Sequence, residues 1–89
     1  LGVIIQEVTK DLAEAYGLSK PAGALVARVM PDTPAAKAGL QDGDVITHFN
    51  GREIGLSSDL SQMVGRAKVG AKYPLTVVRD GKPRTLSFE

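Results

Sequence analysis

The segment Gly-Leu-Gln-Asp-Gly-Asp-Val-Ile, residues 39–46, constrains the fold of this chain more than any other. Gly39 follows a short alanine-rich run and can take the left-handed backbone conformation that ends a helix. The Asp42-Gly43 pair predicts a tight polar turn. A strand is expected from Asp44 onward, and Asn50-Gly51 at its end is a strong signal for a hairpin turn. The segment therefore predicts a helix end, a turn, a strand and a hairpin in direct succession.

The composition fits one small globular domain. The 89 residues, 43% of them hydrophobic, can bury a modest core, and we expect a single domain over residues 1–89. The absence of cysteine excludes disulfides and thiolate sites. Eleven basic and ten acidic residues leave the chain near neutral, which predicts no polyanionic partner. No apolar run approaches the roughly 20 residues of a membrane-spanning helix, so we expect no membrane insertion. Because the chain begins inside an apolar run, we expect it to be part of a longer protein.

Hydrophobic periodicity and turn residues predict short strands interrupted by helices. Thr9 is expected to cap the first helix, Pro34 to begin the second, and Ser57 or Ser58 to cap the third. Strands are predicted over residues 1–8, 24–30, 44–49, 52–54, 73–79 and 83–88, and helices over residues 10–16, 34–38 and 57–67. Short turns between most strands indicate a mainly β, α+β fold, namely a small, partly open antiparallel sandwich or barrel of five to six strands with two to three helices.

Candidate residues for catalysis or metal binding have simpler structural interpretations. There is no Gly-x-Ser-x-Gly motif, and the serines near the third helix are expected to be caps or surface residues. His48, the only histidine, is predicted to face solvent on a strand. Asp42 and Asp44 lack the additional oxygen ligands of a calcium loop, and a turn followed by a strand explains both. We therefore expect a non-catalytic chain that needs no metal or other cofactor.

The last third of the chain is basic. A solvated sheet face and turn are the ordinary explanation of these charges, with weak attraction for acidic peptide tails or for the remainder of the parent protein as an alternative. Aromatic residues are not interleaved with the charges, so we do not expect a nucleic acid as partner. The basic residues concerned are Arg66, Lys68, Lys72, Arg79, Lys82 and Arg84.

The chain resembles the PDZ domains of bacterial HtrA/DegP-type periplasmic serine proteases. The resemblance rests on Pro34-Ala-Ala-Lys-Ala-Gly-Leu-Gln-Asp-Gly-Asp-Val-Ile followed by Asn50-Gly51, and it extends over essentially the whole chain. The segment Thr9–Leu18 is similar to the helix inserted in the first PDZ domain of those proteases. The resemblance implies the permuted strand order of bacterial PDZ domains, in which the strand that binds a peptide carboxylate comes first.

The resemblance also implies a peptide-binding site between the first strand and the third helix. In PDZ domains, backbone N–H groups of an apolar-Gly-apolar loop hold a terminal carboxylate, and the peptide adds to the following strand. The glycine is expected to leave room for the approaching carboxylate. Serine and aspartate replace the histidine with which hydroxyl-selective PDZ domains begin this helix, which favours apolar ligands. Met63 is expected nearer the rim of the groove than the other helix residues. The implied site residues are Leu1, Gly2, Val3, Ile4, Ile5, Gln6, Leu60, Met63 and Val64.

The function that follows from the resemblance is capture of C-terminal or unfolded apolar peptide segments for a protease domain outside this chain. The implied location is the periplasm, with the domain itself a monomer and the parent protein a homo-oligomer. Two alternatives remain open at this stage. The domain could chiefly be a docking arm that assembles protease subunits, or it could belong to another bacterial peptidase of the site-two or tail-specific kind.

Overall fold

The computed structural model describes residues 2–67 and 70–88. Its elements follow the predicted order and lie within two residues of the predicted bounds. Leu1 and residues 68–69, where the third helix was expected to end, lie outside the described residues, so those two predictions are not tested. In chain order the elements are β1 (Val3–Glu7), α1 (Lys10–Ala15), β2 (Ala24–Val29), α2 (Pro34–Ala38), β3 (Val45–Phe49), β4 (Arg52–Glu53), α3 (Ser57–Arg66), β5 (Tyr73–Arg79) and β6 (Lys82–Phe88).

The strands form one sheet in the order β1-β2-β3-β5-β6, and the short β4 pairs with β3 beside this path. Every pairing is antiparallel. The sheet does not close, because β1 and β6 stand at its two ends. This arrangement confirms the predicted mainly β, partly open antiparallel fold. It also leaves the first strand of the chain at an edge of the sheet.

The first two helices begin as the sequence predicts. The Thr9 hydroxyl accepts a hydrogen bond from the Leu12 N–H at 3.3 Å and caps α1. Thr33 caps α2 in the same way, since its hydroxyl accepts from the Ala36 N–H at 3.3 Å. Gly39 ends α2 with φ of 94°, the left-handed conformation expected from the sequence.

The prediction that Ser57 or Ser58 caps α3 is wrong. The cap residue is Leu56, whose side chain cannot accept a hydrogen bond. Asp59 supplies the missing acceptor from the first turn, since its carboxylate accepts from the Leu56 N–H at 2.9 Å. This is half of a capping box, in which an acidic side chain reaches back to the N–H of the cap residue.

Apolar side chains cover both faces of the sheet. On one face, α2 and α3 enclose the larger cluster, whose fully buried members include Val26, Ile46, Ile54, Leu60, Leu75 and Val77. On the other face, α1 covers a smaller cluster of Val8, Ala13, Leu25 and Val45. Neighbouring residues of β2 therefore point into different clusters, as strand alternation requires. The fold holds α3 across the larger cluster and next to β1.

A buried ion pair joins the start of β3 to the end of β5. Asp44 is 1% exposed, and its two carboxylate oxygens accept from Nε and Nη2 of Arg79, each at 2.8 Å. Arg79 also donates to the Gly39 carbonyl at 2.8 Å, and hydrogen bonding to Asp44 raises the pKa of Arg79. The expectation that Arg79 belongs to a solvated basic surface is therefore wrong. The pair fixes the end of α2 against the sheet.

Candidate functional site

The outer edge of β1 is open for pairing. Strand β1 pairs with β2 on one side, and no other described strand pairs with its second side. Val3 and Ile5 are half-buried against the larger cluster, whereas Ile4, on the opposite face, is 48% exposed. An unpaired strand edge presents backbone N–H and C=O groups to any additional strand. Because α3 packs against β1 and β2, the open edge lies beside α3, and we call the space between this edge and α3 the candidate groove.

Gly2 has a backbone conformation that few other residues could adopt at the start of β1. Its φ is +86°, and its carbonyl accepts from the Met30 N–H at 2.9 Å. A Cβ at this position would overlap the side chain of Thr33, which also donates to the Met30 carbonyl at 2.8 Å. Within the described residues, therefore, glycine is required by its own backbone angle and by Thr33. The structure itself thus supplies a reason for the glycine in addition to the clearance expected for a ligand.

A carboxylate closes the other end of the groove. Glu7, the last residue of β1, accepts from the Ser57 N–H at 2.7 and 3.2 Å and from the Ser57 hydroxyl at 3.0 Å. An acidic group at a helix N-terminus satisfies free N–H donors and interacts favourably with the helix dipole. The contact ties the end of β1 to the beginning of α3. No sequence signal could have revealed it, because the two residues are 50 positions apart.

The predicted helix residues do not all face the groove. Ser57, Ser61 and Val64 follow at i, i+4 and i+7, so they share one side of α3, and the Ser57 contact with Glu7 turns that side toward β1. Leu60 lies beneath them, fully buried in the core. Met63 lines a cavity on the other side of α3. The structure therefore places Val64 and Leu60 with β1 and Met63 behind the helix. Sequence analysis did not name as site residues Ser57 and Ser61, which lie on the same side of α3 as Val64, although their spacing from Val64 was available.

The other residues that sequence analysis considered make ordinary structural contacts. The Asp42 carboxylate accepts from the Val29 N–H at 2.9 Å, and Asp44 pairs with Arg79. His48 is half-buried rather than solvent-facing, with Nδ1 3.0 Å from the Thr47 hydroxyl. Among residues 2–67 and 70–88, no three His, Cys, Asp or Glu residues lie close enough together to hold a metal ion. In the same residues no helix has the length and hydrophobicity to cross a membrane.

Comparison with known proteins gives relatives over the full length of the chain. It is 60% identical over 88 residues to a probable periplasmic serine endoprotease DegP-like from Pseudomonas fluorescens, covering 99% of this chain and 18% of that protein. It is 58% identical over 89 residues to the protein of the same name from Hahella chejuensis, covering 100% of this chain and 19% of that protein. The chain thus spans about a fifth of the length of these curated relatives.

Solved structures share the fold, and two of them serve as examples. The HtrA-type protease AlgW with decapeptide superposes with a TM-score of 0.86 at 38% identity, over 100% of this chain and 27% of that one. The HtrA3 PDZ domain bound to a phage-derived ligand superposes with a TM-score of 0.83 at 28% identity, over 99% of this chain and 80% of that one. The family model described as PDZ domain matches residues 1–89. With its open edge strand beside α3, this chain belongs to the PDZ domain family.

Proposed function

We propose that this chain is the peptide-binding module of an HtrA-type serine protease, and that it binds an extended peptide between β1 and α3. The observation that carries the proposal is the open edge of β1 facing α3. A peptide would add to this edge as an antiparallel strand, with backbone hydrogen bonds supplying affinity and side-chain pockets supplying specificity. The residues proposed to contact it are Gly2, Val3, Ile4, Ile5, Gln6, Leu60 and Val64, together with Ser57 and Ser61. The predicted contact of Leu1 remains untested because Leu1 lies outside the described residues. Met63, which the family resemblance also implied, lines the cavity on the other side of α3 and is not among the proposed contacts.

The direction of the peptide follows from the two ends of the groove. A peptide antiparallel to β1 has its C-terminus near Gly2 and its earlier residues near Glu7. The left-handed backbone at Gly2 is suited to a turn whose N–H groups converge on an anion, which fits a terminal carboxylate. Glu7 would repel the same carboxylate at the other end. Five residues of β1 span about 16 Å, so roughly four or five peptide residues would fill the groove.

The groove predicts an apolar C-terminal residue. Val3, Ile5 and Val64 are half-buried and aliphatic. Burying one aliphatic or aromatic side chain among them contributes roughly 1.5–3 kcal/mol. We expect a micromolar dissociation constant, which corresponds to about −8 kcal/mol.

Titration of ¹⁵N-labelled protein with peptides ending in Val or Phe tests the proposal. Free-acid peptides should shift the amide signals of residues 2–6 and of α3, and C-terminal amidation should weaken binding at least tenfold because the carboxylate is lost. Ser61→Trp should block the groove, whereas the neighbouring Gln62→Trp, on another side of α3, should not. Equal binding of acid and amide, or equal effects of the two tryptophans, would exclude this binding mode.

The role in the whole protein is part of the proposal. The names of the relatives favour a periplasmic serine endoprotease over a site-two or tail-specific peptidase. We propose that the present chain is a single non-catalytic domain, and that it delivers C-terminal or unfolded segments to a protease domain of a homo-oligomer. In support, the lone histidine contacts Thr47, and Ser57 contacts Glu7 at the start of α3. In the parent protease, Ser61→Trp should reduce cleavage of unfolded substrates and leave assembly size unchanged. Loss of assembly instead would favour the docking-arm alternative.

A further inference from the structure

A cavity of about 440 Å³ lies on the side of α3 that faces away from β1. Asp59, Met63 and Arg66, at i, i+4 and i+7, form a side of the helix distinct from the Ser57–Val64 side that borders the groove. The cavity is therefore separate from the proposed peptide groove, although both use α3 as a wall. Its lining residues are Phe49, Asn50, Arg52, Asp59, Gln62, Met63, Arg66, Ala67 and Tyr73.

The floor of the cavity is apolar and aromatic. Phe49 is 4% exposed, and its ring centroid lies 5.3 Å from that of Tyr73 at an interplanar angle of 34°. Met63 and Ala67 are half-buried and pack against the same core cluster. Aromatic pairs of this kind accept a further ring at an edge or a face, and methionine adapts to irregular shapes. The floor is thus suited to one large apolar side chain.

The rim of the cavity carries two arginines, one from each wall. Arg52 belongs to β4 and Arg66 to the last turn of α3, and both are exposed. Neither guanidinium group makes a hydrogen bond or ion pair with any of the described residues. The carboxylate of Asp59, also on the rim, already accepts from the Leu56 N–H. Two arginines against one carboxylate leave the rim with a net charge of +1, and the two guanidinium groups suit carboxylates in bidentate geometry.

We propose that this cavity is a second recognition site, which binds an internal acidic segment of a partner protein that contains one aromatic or large aliphatic residue. The apolar side chain enters between Phe49 and Met63, and flanking carboxylates pair with Arg52 and Arg66. Charge complementarity selects the ligand, because an apolar floor alone would accept any hydrophobic side chain. No free C-terminus is needed, which distinguishes this site from the β1 groove.

Blocked peptides test the second site independently of the groove. The probe is the N-acetylated, C-amidated pentapeptide Asp-Glu-Phe-Glu-Asp, and its matched control is Asn-Gln-Phe-Gln-Asn with the same blocking groups. In ¹⁵N-labelled protein the acidic probe should shift the amides of Phe49, Met63 and Arg66 and leave those of residues 2–6 unchanged. Binding of the neutral control should be about fivefold to tenfold weaker, as expected for two partly exposed charge pairs.

Charge-removing variants provide the decisive comparison. Arg52→Gln with Arg66→Gln should weaken the acidic probe by about fivefold to tenfold. Arg28→Gln with Arg84→Gln removes two exposed arginines elsewhere and should leave its affinity unchanged, and matching thermal unfolding curves exclude misfolding as the cause. The proposal is overturned if the probe fails to bind at millimolar concentration, if it binds at β1, or if both double variants behave alike. Stronger competition by inorganic phosphate than by acetate would identify a phosphate site and overturn the peptide assignment.

Discussion

The buried pair of Asp44 and Arg79 provides the sharpest test of how this fold is stabilised. Arg79→Met keeps much of the length of the side chain and removes both donors to Asp44 and the donor to the Gly39 carbonyl. Of its hydrogen bonds to the described residues, the carboxylate, 1% exposed, would retain the one from the Gln41 N–H at 3.0 Å. Removing one partner of a buried ion pair costs about 3–5 kcal/mol, because a charge is left without compensation. For a domain of this size a loss of 3 kcal/mol lowers the melting temperature by roughly 12–24 °C.

Urea unfolding followed by far-ultraviolet circular dichroism measures this loss. The matched control is Lys20→Met, which breaks the ion pair with Glu53, where both side chains are more than half exposed. Its unfolding midpoint should stay close to that of the unmodified chain. The double variant Asp44→Asn with Arg79→Met should be more stable than Arg79→Met alone, because it no longer contains a buried carboxylate without a cationic partner. If Arg79→Met and Lys20→Met have equally small effects, or if the two changes at the buried pair are additive, the reasoning is refuted.

Three further outcomes are expected. Gly2→Ala should destabilise the domain by about 1–2 kcal/mol in urea unfolding. The φ of +86° is unfavourable for alanine, and the Thr33 side chain occupies the position of the added Cβ. An unchanged unfolding midpoint would contradict this expectation. Glu7→Ala should cost about 1 kcal/mol by removing the acceptor at Ser57, whereas a stability equal to that of the original chain would show that the contact contributes nothing. Hydrogen bonding to Lys20 lowers the pKa of Glu53 below its usual 4.5. Any stabilisation from this ion pair is therefore present above pH 4.5, and it is lost as the pH falls through the lowered pKa. A side-chain NMR titration should show this pKa return to its usual value in the Lys20→Met variant.

Local chemistry explains why the order of elements could be predicted from the sequence. Several of the signals affect only the backbone within a few residues along the chain. They are the left-handed Gly39, the turn at Asp42-Gly43 and the hairpin residues Asn50-Gly51. Strand alternation in β1 likewise separates half-buried Val3 and Ile5 from exposed Ile4. Such signals need no knowledge of distant parts of the chain. The same locality explains why the predicted cap of α3 is wrong. The two candidate serines are the first residues of the helix, and the hydrogen-bond acceptors at its start come from Asp59 and, across the groove, from Glu7.

Contacts between distant residues were decided only by the tertiary structure. Asp44 and Arg79 are 35 positions apart, and the sequence assigned Asp44 to the start of a strand and Arg79 to a solvated surface. The apolar stripe of α3 predicted a buried face, but only the packing of the helix against β1 determined which neighbours face the groove and which, like Met63, face the cavity behind it. Sequence alone therefore determined the elements, their order and the class of fold, because turn, cap and periodicity signals are local. The tertiary structure decided the ion pair, the closed end of the groove and the two sides of α3, because each depends on where separate elements meet.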